Sequence, residues 1–406
     1  MKKMAWMFLF LALTTVAEAA VSVSEIAVRQ RYPWNGLVDI DYEITSDNPT
    51  AQVYVLLEGR DEEANRPVAM VTLSGDGATA PVGPGRHRIV WNAKADDPTL
   101  HIEAFKVRIE PFCGIPPYLV IDLTGGPDAT SYPVRFSAKA PDVKDEKFER
   151  DELWLRMIFP GTFRMGSPVD EIGRKSTELA HMVRLTQPYY IGIYEVSFDQ
   201  WMKVMGTNPV PWQPENHKPV NNVSYEMIRG ASLGLGWPAH SGVEADSFMG
   251  RLRARTGLDF DLPTEAQWEY ACRAGTDTAL NSGRNLTSEV QCPNLAEVGR
   301  YCYNRDDANG LHRAYSGSYR PNAWGLYDMH GNVWEWCLDR YATPSSHPDL
   351  TVDPPGDGTS TQRVCKGGCD TAVARSCRSA SRWSNSTDYR NYEGGFRVVV
   401  RFPAGK

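Results

Sequence analysis

The 406-residue chain sets 43 Lys and Arg against 50 Asp and Glu, a formal charge of −7. That balance offers no general attraction for a phosphate backbone and argues against nucleic acid as a partner. Charged residues are 23% and hydrophobic ones 42%, which excludes a disordered chain, and 34 Gly with 28 Pro favour turns and short elements over long helices.

Residues 1–20 begin with Lys2 and Lys3, run through apolar Met4–Val16 and end on the small-x-small sequence Ala17-Glu18-Ala19. This is the pattern of a cleaved leader, so export to a periplasmic or extracellular space is expected. The apolar run is shorter than the roughly 20 residues that cross a bilayer, so no membrane span is expected in the mature chain. From Val21 to about Pro111, apolar residues alternate with polar ones in Val38–Ile44, Gln52–Leu57, Val68–Leu73, His87–Trp91 and Phe105–Ile109, separated by turns such as Ser74–Gly77. Such alternation predicts an immunoglobulin-like all-β sandwich, without an inter-sheet disulfide because Cys113 has no second cysteine nearby. Tyr118–Asp122 and Tyr132–Phe136 read as further strands, which places a β domain with connecting strands at 21–140 and a charged linker at 141–152.

The remainder, 153–403, reads as one large domain with a few short helices. Ser197 with Gln200 and Thr264 with Gln267 have capping-box spacing and predict helix starts; a third helix is expected over about 246–256. The densest stretch is Ala323–Trp336, with Trp324, Trp334 and Trp336 around two glycines and the carboxylates Asp328 and Glu335. Rings at that density belong in a core, and acids drawn in beside them need partners. All eight cysteines (113, 272, 292, 302, 337, 365, 369, 377) lie beyond the leader, where an oxidising compartment favours pairing, and Cys292 and Cys302 are candidates for a structural disulfide. No His-Glu-x-x-His or Gly-x-Ser-x-Gly occurs, so metalloprotease and serine-hydrolase chemistry find no support.

Seven segments in order, Gly161–Ser167, Tyr190–Val196, Pro219–Ser224, Leu262–Ala271, Asn322–Trp336, Lys366–Gly368 and Gly395–Arg397, resemble the formylglycine-generating enzyme or sulfatase-modifying factor family. The resemblance implies a low-regularity α+β fold related to C-type lectins. It also implies oxidation of a sulfatase cysteine to formylglycine by oxygen and copper, the copper being held in a Cys-x4-Cys loop between Gly-Gly and Gly-Phe-Arg. Soft thiolates suit monovalent copper and leave room for the substrate thiol. Counted forward from Gly367-Gly368, the two copper positions fall on Ala372 and Cys377; counted backward from Gly395–Arg397, they fall on Cys369 and Ala374. Neither register keeps both thiols. Cys369 and Cys377 therefore remain candidates for an altered copper site, for a disulfide, or for structural thiols.

The resemblance further implies calcium bound at Asp328, Gly331, Val333 and Glu335, a second calcium at Asn294 and Leu295, and a substrate groove bordered by Arg382, Trp383 and Asp388. Pairing of Arg382 with Asp388 to brace the loop is the alternative. Two functions follow: a copper-dependent oxidase acting on a protein substrate such as a sulfatase, or a non-catalytic binder of a peptide or glycan on the same fold.

Overall fold

The computed structural model describes residues 20–401 except 79, 114–115, 143–144, 211–216, 231–241, 306–312, 343–349, 355 and 357–359. The segment read as a leader thus lies almost wholly outside the described residues.

The N-terminal domain, strands from Val21 to Cys113, is a sandwich of two antiparallel sheets. Val21–Gln30, Leu37–Ser46, Gly85–Asn92 and Leu73–Gly75 form one in that spatial order, and Arg66–Val68, Val53–Asp61 and Phe105–Cys113 form the other. Leu37–Ser46 and Val53–Asp61 bury every second residue, as their alternation requires. Ile40, Val53, Ile89 and Trp91 meet between the sheets. The strand expected over Val68–Leu73 is broken, because the carboxylate of Asp96 accepts the N–H groups of Val71 and Thr72 and the chain crosses there from one sheet to the other.

The strands expected to follow the sandwich belong elsewhere. Tyr118–Asp122 and Val134–Ser137 form one side of a six-stranded sheet with Glu152–Ile158, Tyr189–Gly192, Val399–Arg401 and Phe260–Asp261. Nor is 141–152 a solvated linker throughout: a helical turn at Lys147–Arg150 buries Phe148, whose ring stacks on Tyr194 at 4.4 Å. One aromatic residue in a charged run is enough to pin it to the core.

The predicted helices form at Phe198–Met205, Phe248–Thr256 and Glu265–Arg273. Both capping boxes are made: Ser197 and Thr264 accept from the N–H groups of Gln200 and Gln267, whose side chains accept in return. A smaller sheet pairs Trp334–Arg340 with Arg363–Lys366, then Trp383–Asn385, and sets Gly394–Gly395 alongside in parallel. The two domains touch through Trp324, whose indole N–H donates to Glu58 at 3.2 Å, through Arg320 and Asp97 at 2.7 Å, and through the rings of Phe112 and Phe159. Among the described residues no helix is long and apolar enough to cross a membrane.

Trp201 is fully buried, stacks on Phe248 at 5.4 Å and donates its indole N–H to Thr207. Trp201→Ala is expected to cost about 3–5 kcal/mol, read as a lower denaturation midpoint in urea.

Candidate functional site

The site is built where the Trp-rich segment, the double glycine and the last strands converge. Lys366 is fully buried and donates to Glu269 at 2.9 Å. Gly367 and Gly368 follow at φ +93° and +84°. The first lies against the Trp268 ring, and a Cβ on the second would come 2.5 Å from the Cys377 sulfur. Glycine is demanded twice over there, by backbone conformation and by the close approach of a thiol.

This turn and the short 3-10 helix Ala374–Cys377 bring the two candidate cysteines together. The Cys377 sulfur lies 4.0 Å from the Cys369 carbonyl oxygen and 3.9 Å from that of Val373. The Cys369 sulfur sits 3.3 Å from the Thr371 hydroxyl. Both thiols are buried, and burial pushes Cys369 up to about 12 and Cys377 well above the ordinary thiol value. Both are therefore held protonated. All eight cysteines are free, so the expected Cys292–Cys302 bridge is not formed. The Cys292 sulfur instead accepts from the N–H and hydroxyl of Thr287. His330 closes the back of the loop: its Nε2 accepts from Asn281 N at 3.0 Å, so its Nδ1 carries the proton and donates to the Cys377 carbonyl at 2.7 Å. Burial lowers this imidazole to about 4 and keeps it neutral.

The residues expected around the first calcium are brought together with one more acid. Asp328 sits at φ +55°; its Oδ2 accepts from Gly317 N at 2.7 Å, while its Oδ1 is buried with no donor. Glu335 is gripped by Arg397, Nε to Oε2 at 2.6 Å and Nη2 to Oε1 at 2.7 Å, and its Oε2 also accepts from the Trp268 indole. Glu195, buried beside them, accepts from Asn332 Nδ2 at 2.7 Å and from Val333 N. Burial and then the charges of Asp328 and Glu335 raise Glu195 far above the carboxylate range, and burial takes Asp328 to about 7. Gly331 turns at φ +80° with its N–H on the Gly367 carbonyl. Glu195 was missed as a site residue in the sequence, although an acid inside the apolar run Tyr190–Val196 is the kind of signal that marks one.

The second calcium pair is arranged differently. Asn294 faces the guanidinium of Arg284, Oδ1 to Nη1 at 3.4 Å, and the Leu295 carbonyl accepts from Val298 N. Arg382 does not pair with Asp388, which is exposed; it forks onto Glu265 at 2.5 and 2.8 Å and donates to the carbonyls of Thr177 and Ala342. Trp383, 48% exposed, stacks on Trp334 with the Lys175 ammonium over its ring. Tyr389 and Tyr392, in the segment between Trp383–Asn385 and Gly394–Gly395, are also 43% and 46% exposed.

Residues 143–402 match the family described as the sulfatase-modifying factor enzyme 1-like domain. The chain belongs to that family. It is 39% identical over 143 residues to the formylglycine-generating enzyme of Streptomyces coelicolor, covering 34% of this chain and 46% of that one. It is 30% identical over 203 residues to the chaperone protein LppX of Paenibacillus barcinonensis, covering 44% and 68%. The chain thus spans about half the length of the formylglycine-generating enzyme it matches. Among solved structures, Treponema denticola variable protein 1 aligns over 62% of this chain and 96% of its own at 25% identity and a TM-score of 0.48. The family match begins between Val134–Ser137 and Glu152–Ile158, so it leaves out the sandwich and the first two strands of the six-stranded sheet.

Beside the Arg382–Glu265 fork lies Asp339, raised to about 7 by burial and by the neighbouring Glu265, whose N–H it accepts at 2.7 Å. A carboxyl raised on folding contributes stability below its unfolded value near 4, and that contribution is lost as pH rises through about 7. Asp339→Asn keeps the acceptor and removes the charge. It is expected to gain in melting temperature over the wild type at pH 8 and to lose that gain at pH 4, in parallel thermal melts.

Proposed function

We propose that this family member works as a calcium-braced binding protein, taking a peptide or glycan on its exposed aromatic face, and does not run copper-dependent oxidation of a sulfatase cysteine. The observation that carries this reading is the Cys377 sulfur, sealed under Gly368 and fully buried. In either register the partner position is alanine, Ala372 or Ala374. A two-thiolate centre that must admit a third, substrate thiol needs sulfurs that are ionisable and reachable. Cys369 and Cys377 are both cut off from solvent, so a substrate thiol does not reach them and these residues do not fit the copper group. Trp383, Tyr389 and Tyr392 support the binding role, because exposed rings close together in the chain present flat apolar area at low entropic cost.

Calcium rests on charge. Glu195, Asp328 and Glu335 together carry three negative charges when ionised, against one guanidinium from Arg397, and the excess of two is that of a divalent ion. The donorless Oδ1 of Asp328 is a hard oxygen of the type calcium takes, and one lone pair of Glu335 Oε1 remains beyond Arg397. No three His, Cys, Asp or Glu side chains among the described residues form a cage by themselves, so the Gly331 and Val333 carbonyls would complete the set. Bound calcium would supply fixed positive charge and no redox chemistry. Asn294 and Leu295 lend no support to a second ion, since a guanidinium already occupies the amide oxygen. Export remains part of the proposal and rests on the pattern of residues 1–20.

Anaerobic loading with Cu(I) against a chromogenic chelator is expected to leave no copper that depends on Cys369 or Cys377, and a Cys-x-Pro-x-Arg peptide is expected to stay free of aldehyde by mass spectrometry. Copper lost in both Cys369→Ala and Cys377→Ala, together with aldehyde from the wild type, would establish the oxidase instead. Calcium at about a hundredfold excess over its Kd is expected to stabilise the chain by about 2.7 kcal/mol, reversed by EGTA and absent in Asp328→Ala. Identical melting curves with calcium and with EGTA would remove the ion from the proposal.

A further inference from the structure

The sandwich and the family domain leave a hollow beside the contact of Trp324 with Glu58. It is a cleft of about 660 Å³, within the range of small-ligand sites. Strands Val53–Asp61 and Phe105–Cys113 of the sandwich form one wall; strand Gly161–Met165 and the end of helix Glu265–Arg273 form the other. The rings of Phe163, Tyr270 and Trp324 run along it as a chain, with centroids 5.1 and 4.8 Å apart. Tyr270 and Trp324 are only half-buried, and Met182 is 40% exposed, so a ligand in the cleft meets open apolar surface.

The charged side chains of the lining divide into two groups. Lys106 holds Glu62 at 2.8 Å, Arg108 holds Glu110 at 2.8 Å and approaches Glu58, and Arg273 is buried on Glu269. Three others meet no opposite charge among the described residues. Arg164 is exposed and stands across the ladder from Met182; Arg60, half-buried, donates only to the neutral Asn65; Asp277 is exposed. Two free cations against one free acid leave a single positive charge in excess, which a monoanion neutralises. A guanidinium offers donors only, and a carboxylate is its planar, acceptor-only match. The neighbouring rings and thioether suit an aromatic body on that carboxylate.

We propose that this interdomain cleft, with Arg60 of the sandwich and Arg164 of the family domain left without acids beside the Phe163, Tyr270 and Trp324 rings, binds a small monoanionic aromatic carboxylate. The two guanidiniums take the carboxylate oxygens, and the ring of the ligand lies against Trp324 and Met182. One arginine comes from each domain, so the ligand ties the sandwich, which lies outside the family match, to the family domain. The site uses neither the aromatic face nor the acidic cluster proposed above.

The test is isothermal titration calorimetry on the full-length chain with 2-naphthoate, 3-phenylpropionate and N-acetylphenylalanine as probes. Their counterparts without the negative charge are 2-naphthylmethanol, phenethylamine and N-acetylphenylalaninamide. Saturable binding of at least one acid is expected, about tenfold or more tighter than its counterpart. Arg60→Ala and Arg164→Ala, on opposite walls, should each weaken it about tenfold, the loss of one charge-assisted hydrogen bond. Arg164→Ala removes an exposed side chain and should leave the melting temperature unchanged, so it decides the matter if Arg60→Ala folds poorly. Silence from all three acids overturns the proposal. So does equal binding of the counterparts, or an affinity that both arginine substitutions leave unchanged. A tenfold preference for acetyl-Ala-Ala-Phe also overturns it, by assigning the cleft to the end of a peptide, as does a signal lost only in Trp383→Ala, which would place the ligand on the aromatic face.

Discussion

The fork between Glu335 and Arg397 is the contact on which the C-terminal domain is hung. Arg397 spends its remaining N–H groups on the carbonyls of Gly192, Ile193 and Tyr327, and Glu335 takes the Trp268 indole. One buried pair therefore ties the six-stranded sheet, the Trp-rich segment, the helix Glu265–Arg273 and the final strand to a common point. A pair this deep is tolerable only because nearly every donor and lone pair is used, and removing either partner would strand a charge in the core. The local irregularity of the fold follows, since the chain bends wherever it must to deliver a carbonyl or an indole to that point.

Much of this was legible in the chain. The alternation in Val38–Ile44 announced the sandwich, the hydroxyl and amide spacing at Ser197 and Thr264 gave both helix starts, and the ordered motifs identified the domain. What sequence reading could not supply was allegiance. Tyr118–Asp122 is a strand in either domain, and only its hydrogen bonds to Glu152–Ile158 assign it to the second. Charge pairing was equally hidden: Arg382 was set beside Asp388 by proximity in sequence, whereas its partner, Glu265, lies 117 residues away on a helix. Long-range partners of buried charges are set by packing, and spacing along the chain carries no trace of them. Glu195 differs, because an acid inside the apolar run Tyr190–Val196 is itself a signal in the sequence.

The same packing separates scaffold from chemistry. Double glycine, tryptophans, Arg397 and Glu335 keep the family architecture, and all of them serve closure of the core. The sulfurs that would perform oxidation sit inside that closure, protonated and covered. A fold maintained by buried ion pairs and rings leaves its surface loops free to change purpose.

The indole of Trp324 gives the arrangement one more property. It belongs to the segment whose other tryptophans fill the core, yet its N–H leaves the domain to reach Glu58 of the sandwich. A single stretch of chain thereby both seals its own interior and sets the pitch of its neighbour. Rearranging that stretch would therefore be felt across the junction, where Trp324–Glu58 stands beside Arg320–Asp97 and the rings of Phe112 and Phe159.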